Sequence, residues 1–199
     1  MRRRTLLTGV SVGVTGLASG CSGDGDVQRQ VSLVSQAKPD IRNLEIETEL
    51  FEDTITTEHT AELQVRMTNR GSRRAFLIRD NYMCNVFNRQ HGASDPPGLW
   101  LYRLERGENI DRDGQRWRPH PSESEPGPFD GAACGTVSYD SGESVSSTYG
   151  VWDDPREEGY LPSDTYRWRR EIRVWSDPDS RRTHPADALV SHEFAISIE

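Results

Sequence analysis

Tyr160-Leu161-Pro162-Ser163-Asp164-Thr165-Tyr166-Arg167-Trp168-Arg169-Arg170-Glu171-Ile172-Arg173-Val174-Trp175 decides the fold class. Its first six residues carry Pro, Ser and Asp, the composition of a loop. From Tyr166 the pattern changes to period two: Tyr166, Trp168, Ile172 and Val174 share one face, and Arg167, Arg169, Glu171 and Arg173 share the other. Successive side chains of an extended chain point to opposite faces, so this alternation predicts a strand with one buried face.

The same period recurs on both sides. Leu44, Ile46 and Leu50 alternate with Glu45, Glu47 and Glu49, and Ala61, Leu63, Val65 and Met67 alternate with Glu62, Gln64, Arg66 and Thr68. Further strands are predicted over Ala75 to Arg79, Tyr82 to Phe87, Gly98 to Leu104, Gln115 to Arg118, Glu143 to Trp152 and Val190 to Ile198. Turn residues separate them, as at Thr68 to Ser72 and Asp140-Ser141-Gly142. Eight or nine short strands without a long 3.6-residue period predict an all-β, antiparallel sandwich. Its long loops fall at 88–97, 119–131 and 176–188.

The segment Leu161 to Tyr166 resembles the loop into a late strand of immunoglobulin-like folds. That resemblance implies an immunoglobulin-like sandwich in which Tyr166 bonds back to the preceding turn. The order of a Gly142-Glu143-Ser144 strand, Tyr149 and Trp152, and then this corner also resembles, over residues 141–175, the bacillus-type intracellular proteinase inhibitor domain. No inhibitory loop transfers with it.

The N-terminus reads as an address. Arg2, Arg3 and Arg4 precede a short apolar and small stretch from Leu6 to Leu17, the order of a secretory signal. A membrane span needs about 20 apolar residues. Arg3 and Arg4 before Thr5-Leu6-Leu7 resemble the twin-arginine (Tat) export motif, which implies folding before export. Leu17-Ala18-Ser19-Gly20-Cys21 resembles a lipobox, with Ala18 standing where Leu is usual. The resemblance implies a lipid on Cys21 and anchoring at the outer face of the cell membrane. The expected organisation is a signal over 1–20, a flexible tether over 21–40 and the sandwich over 41–199.

The chain has 199 residues, three cysteines and a net charge of −8. Three arginines and no acids lie in the first 20 residues, so the remainder carries −11. Lys38 is the only lysine among 24 basic residues. High acid content with almost no lysine resembles proteins of salt-loving archaea; a GC-rich genome alone is the alternative account of the Arg-for-Lys bias. This charge balance argues against nucleic acid as a partner. With Cys21 lipidated, Cys84 and Cys134 remain as a pair in an oxidising compartment, and a bridge between them closes about 50 residues and stabilises by about 4 kcal/mol. Two separate buried thiols are the alternative.

Chemistry-bearing patterns are sparse. Asn109-Ile110-Asp111-Arg112-Asp113-Gly114 resembles the start of an EF-hand calcium loop, with Asn109, Asp111 and Asp113 in ligand positions. His120 stands where a bidentate Glu is needed, and no helix pattern flanks the stretch. The plainer reading is a hairpin turn at Asp113-Gly114 between the 98–104 and 115–118 strands. The five histidines lack zinc-ligand spacing and read as incidental surface residues, so no metal and no cofactor is expected. Neither a Gly-x-Ser-x-Gly elbow nor a phosphate loop is present. Arg167, Arg169 and Arg173, flanked by Trp168 and Trp175, suggest an anion patch, or a solvated face with cross-strand acids such as Glu143. These readings predict a lipid-anchored surface protein that binds a protein or small molecule and is not an enzyme. A structural subunit of a membrane complex, or a hydrolase with a cryptic site, is the alternative.

Overall fold

The computed structural model describes residues 29–39, 41–78, 94–104, 111–119 and 137–199. Twelve strands are found among them: β1 (Arg29–Gln36), β2 (Leu44–Glu52), β3 (Thr54–Ile55), β4 (Glu62–Asn69), β5 (Arg74–Ile78), β6 (Leu99–Arg103), β7 (Arg112–Asp113), β8 (Arg116–Pro119), β9 (Val137–Tyr139), β10 (Ser144–Asp153), β11 (Thr165–Trp175) and β12 (Ala188–Ile198). A single 3-10 turn at Ser180–Arg182 interrupts the loop after β11.

Two antiparallel sheets form the sandwich. One has the order β3-β1-β12-β11-β5-β9 and the other β2-β4-β10-β6. Seven of these strands, taken in chain order as A to G, are β2, β4, β5, β6, β10, β11 and β12. Their arrangement is then A-B-E-D on one sheet and G-F-C on the other, the order of the seven-stranded immunoglobulin-type sandwich. Strands β1 and β3 extend the sheet beyond G, and β9 extends it beyond C.

The alternation read from the sequence is the burial observed. On β11, Tyr166, Trp168, Ile172 and Val174 are buried, while Arg167, Arg169 and Glu171 are exposed. Leu44, Ile46, Leu63, Val65 and Met67 meet them from the opposite sheet, with Tyr149, Val151, Phe194, Ile196 and Ile198 completing one core. Trp168 stacks on Phe194 at 5.3 Å and 19°. The loop before β11 makes the expected corner: the Tyr166 hydroxyl donates to Pro162 O at 2.7 Å. Gly98 lies against this ring, where an added Cβ would fall 2.8 Å from Tyr166 Cε1, and its φ of 147° also favours glycine.

Two expectations are corrected. Residues 29–36, expected within the tether, form β1, which pairs with β12 from Val31↔Ile198 to Gln36↔Phe194. Polar residues mask its pattern, but Val31 is fully in the core and Leu33 packs against it. The sandwich therefore includes residues 29–36 and does not begin at 41. The 115–118 strand does not pair with the 98–104 strand: β8 pairs with β7, and β6 pairs with β10. The β7–β8 loop is Gly114-Gln115, one residue later than expected, because Asp113 pairs with Arg116 and Gly114 takes the left-handed φ of 63°. The predicted strand over 82–87 lies outside the described residues.

Candidate functional site

Antiparallel pairing fixes which loops share an end. Strand β1 runs from Arg29 toward Gln36, so Arg29 lies at the end where β2 and β10 finish and β4, β6 and β11 begin. We term this the entry end. The far end holds residues 37–39 and 41–43 and the loops 70–73, 140–143 and 176–187.

At the entry end two consecutive carboxylates close β10. Asp153 is 1 % exposed and Asp154 fully buried. Asp153 Oδ2 pairs with the Arg118 guanidinium of β8, and its Oδ1 accepts the Leu161 N–H at 2.7 Å. Burial raises its carboxyl above the ordinary range, although the Leu161 and Arg118 hydrogen bonds favour the anion. Asp154 is clamped by Arg156 through the backbone N–H at 3.0 Å, Nε at 2.9 Å and Nη2 at 2.7 Å. Burial pushes this carboxyl up, but the Arg156 bonds outweigh it and hold the group below its usual value. The Trp100 indole adds to that from outside hydrogen-bond geometry.

These pairs hold an aromatic cluster on the outer face of β6 and β10. Trp100 stacks on Tyr102 at 5.9 Å, Tyr102 meets Trp152 edge-on at 5.3 Å, and Trp152 meets Trp117 edge-on at 5.2 Å. Arg156 lies 4.9 Å over Trp100, and Arg112 lies 4.4 Å over Trp117. The β7–β8 hairpin is pinned onto the cluster. Trp117 Nε1 donates to Thr56 O at 2.6 Å, its backbone N–H donates to the Tyr160 hydroxyl at 2.9 Å, and Arg112 donates to Thr57 O at 2.9 Å. Leu161 is held in a left-handed conformation (φ 45°) by Asp153 on its N–H and Arg29 on its carbonyl. Arginine and backbone N–H groups thus engage both carboxylates.

The far end is built on one side chain. Asn69, at the end of β4 and 1 % exposed, donates from Nδ2 to Ser72 O at 2.8 Å, Tyr139 O at 2.9 Å and Asp140 O at 3.2 Å. Its Oδ1 accepts the Gly71 N–H at 3.2 Å. Arg70 N–H donates to Asn43 O at 2.8 Å, and Arg74 Nη1 to Arg42 O at 3.1 Å. The turns 41–43, 70–74 and 139–143 are therefore one knitted surface.

The residues singled out from the sequence divide as follows. Arg3, Arg4, Cys21, Cys84, Cys134 and Asn109 lie outside the described residues. Asp111 and Asp113 are exposed at the start of the β7–β8 hairpin, and no group of three or more His, Cys, Asp or Glu suited to a metal is found among the described residues. Arg167 and Arg169 are exposed as expected, but their aromatic flanks are not. Trp168 faces the core, and Trp175 lies under the following loop, donating from Nε1 to His184 O at 3.1 Å. The partner of Arg169 is not Glu143. It donates to Ser191 at 2.9 Å with Glu193 opposite, whereas Glu143 lies in the turn just before β10 of the other sheet. His192 is not a surface histidine. It is fully buried on the inner face of β12, 3.3 Å from Thr48 Oγ1 across the sandwich.

Sequence reasoning missed Asn69 and the Asp153–Arg118 and Asp154–Arg156 pairs. A signal existed for each: two acids just before Pro155 at a strand end, and an Asn two residues before Gly71 in a turn.

Residues 1–85 match a family described only as a domain of unknown function (DUF8130). No curated protein and no solved structure matches the chain.

Proposed function

We propose that this chain is a lipid-anchored binding protein of the outer cell surface, exported by the twin-arginine route and held through Cys21. The observation that carries the reading is that Arg29, close behind Cys21 in the chain, already belongs to the sandwich. Seven residues separate it from Cys21, a span of at most about 29 Å. A lipid on Cys21 would thus hold a folded domain close against the membrane by one end. The buried carboxylates support a binding role over a catalytic one, because arginines and backbone N–H groups already engage their oxygens. The Cys84–Cys134 bridge belongs to the same proposal.

Replacing Cys21 with Ser tests the anchor. Membrane and medium fractions are compared by immunoblot, and the variant is expected in the medium with the parent at the membrane. Retention of the variant at the membrane would overturn the reading.

A further inference from the structure

We propose that the far end of the sandwich, formed by the turns 41–43 and 70–74, docks a carboxylate-rich protein surface. Charge is unevenly divided along the strands. Among the described residues, the loops and hairpin of the entry end, taken from the close of each strand and with Arg29, carry twelve acidic and five basic side chains. The far end, from the close of each strand through its turn, carries five acidic and seven basic side chains. Among the described residues, basic side chains therefore outnumber acidic ones at the far end, although the chain as a whole carries −8.

The guanidiniums of that end sit on a rigid base. Asn69 ties the 70–73 turn to the 139–143 turn, the Arg70 N–H and Arg74 tie the 41–43 turn to it, and Arg42, Arg70, Arg73 and Arg74 lie on the 41–43 and 70–74 turns. Preorganised donors lose little entropy on binding. Their present partners show which chemistry suits them. Arg70 meets Glu45 at 2.7 Å and Arg73 meets Asp140 at 3.4 Å. These pairs are largely solvated (60 % and 63 % exposure on the arginine side), so each stabilises by at most about 1 kcal/mol and exchanges readily for a partner's carboxylate. Arg42 is exposed and pairs with no acid among the described residues.

Orientation selects a protein and not the membrane. Strand β11 spans 11 residues, about 36 Å of extended chain. The basic pole is therefore displaced by that length from the end where the chain enters. This orientation, unlike the docking itself, rests on the anchor at Cys21.

The test uses the full chain in detergent, passed over immobilised poly-L-glutamate and, in parallel, over polyphosphate of matched charge. Wild type is expected to bind poly-L-glutamate more tightly than polyphosphate. The triple variant Arg42→Glu, Arg70→Glu, Arg73→Glu is expected to bind at least tenfold more weakly with an unchanged circular dichroism spectrum. Glu157→Gln with Glu158→Gln, at the entry end, should leave binding unaltered. Equal binding by the triple variant, an equal loss in the entry-end variant, or preference for polyphosphate would each overturn the proposal. The Cys21→Ser protein should bind as wild type does, so failure of the anchor and failure of the docking surface are separable.

Discussion

At the scale of single residues, His192 is the most consequential titratable group. It faces Thr48 from the other sheet, with Arg170 opposite it on β11. Desolvation lowers its pKa from 6.5 to about 4, against a smaller opposing pull from the Ala37 backbone. The neutral ring is favoured in the fold, so the unfolded chain takes up the proton first. Stability is then unaffected above about pH 6.5 and falls between 6.5 and 4, by about 3 kcal/mol at most, levelling below that. Asp153, whose carboxyl is raised by burial, acts in the opposite sense as pH falls. Chemical denaturation at pH 7 and pH 4.5 should show the loss in wild type, and a smaller one in His192→Gln. An equal loss in both proteins would place the sensitivity elsewhere.

At the scale of elements, the corner before β11 is the most tightly determined feature. Gly98→Ala would press a methyl group against Tyr166 in a backbone conformation that L-residues rarely adopt. Destabilisation of about 2–3 kcal/mol is expected, measured as a shift of the urea midpoint. A midpoint unchanged from wild type would mean that the corner yields cheaply. This corner was legible in the sequence because Leu161 to Tyr166 combines turn residues with the start of strict alternation. The strands β2, β4, β10, β11 and β12 were legible for the same reason: each puts one apolar face against one polar face. Strand β1 was not, since Arg29, Gln30, Ser32, Ser35 and Gln36 leave only Val31 and Leu33 to mark its inner face. Pairing partners were not legible either. Alternation reports which face is buried and says nothing about which strand lies alongside, so the β7–β8 hairpin and its seat on Trp152 required the structure.

At the scale of the whole molecule, β1 makes residues 29–36 part of the domain. Deleting residues 29–36 exposes the β12 backbone and the inner face around Ile196 and Ile198, and should abolish cooperative thermal unfolding. Deleting residues 22–28 should leave the melt unchanged. If the first deletion melts as wild type does, β1 contributes nothing to the sandwich. The candidate site was legible only as ingredients. Arginines, paired aspartates and tryptophans stood in the sequence, but the two poles follow from which loops the antiparallel ladder gathers at each end. The pairing of β1 with β12 also has a mechanical consequence. Tension between an anchor ahead of Arg29 and a load on the far end pulls β1 along its own axis, so the β1–β12 hydrogen bonds are sheared together and not unzipped one by one. Under such tension β1 would be the strand through which the domain bears force.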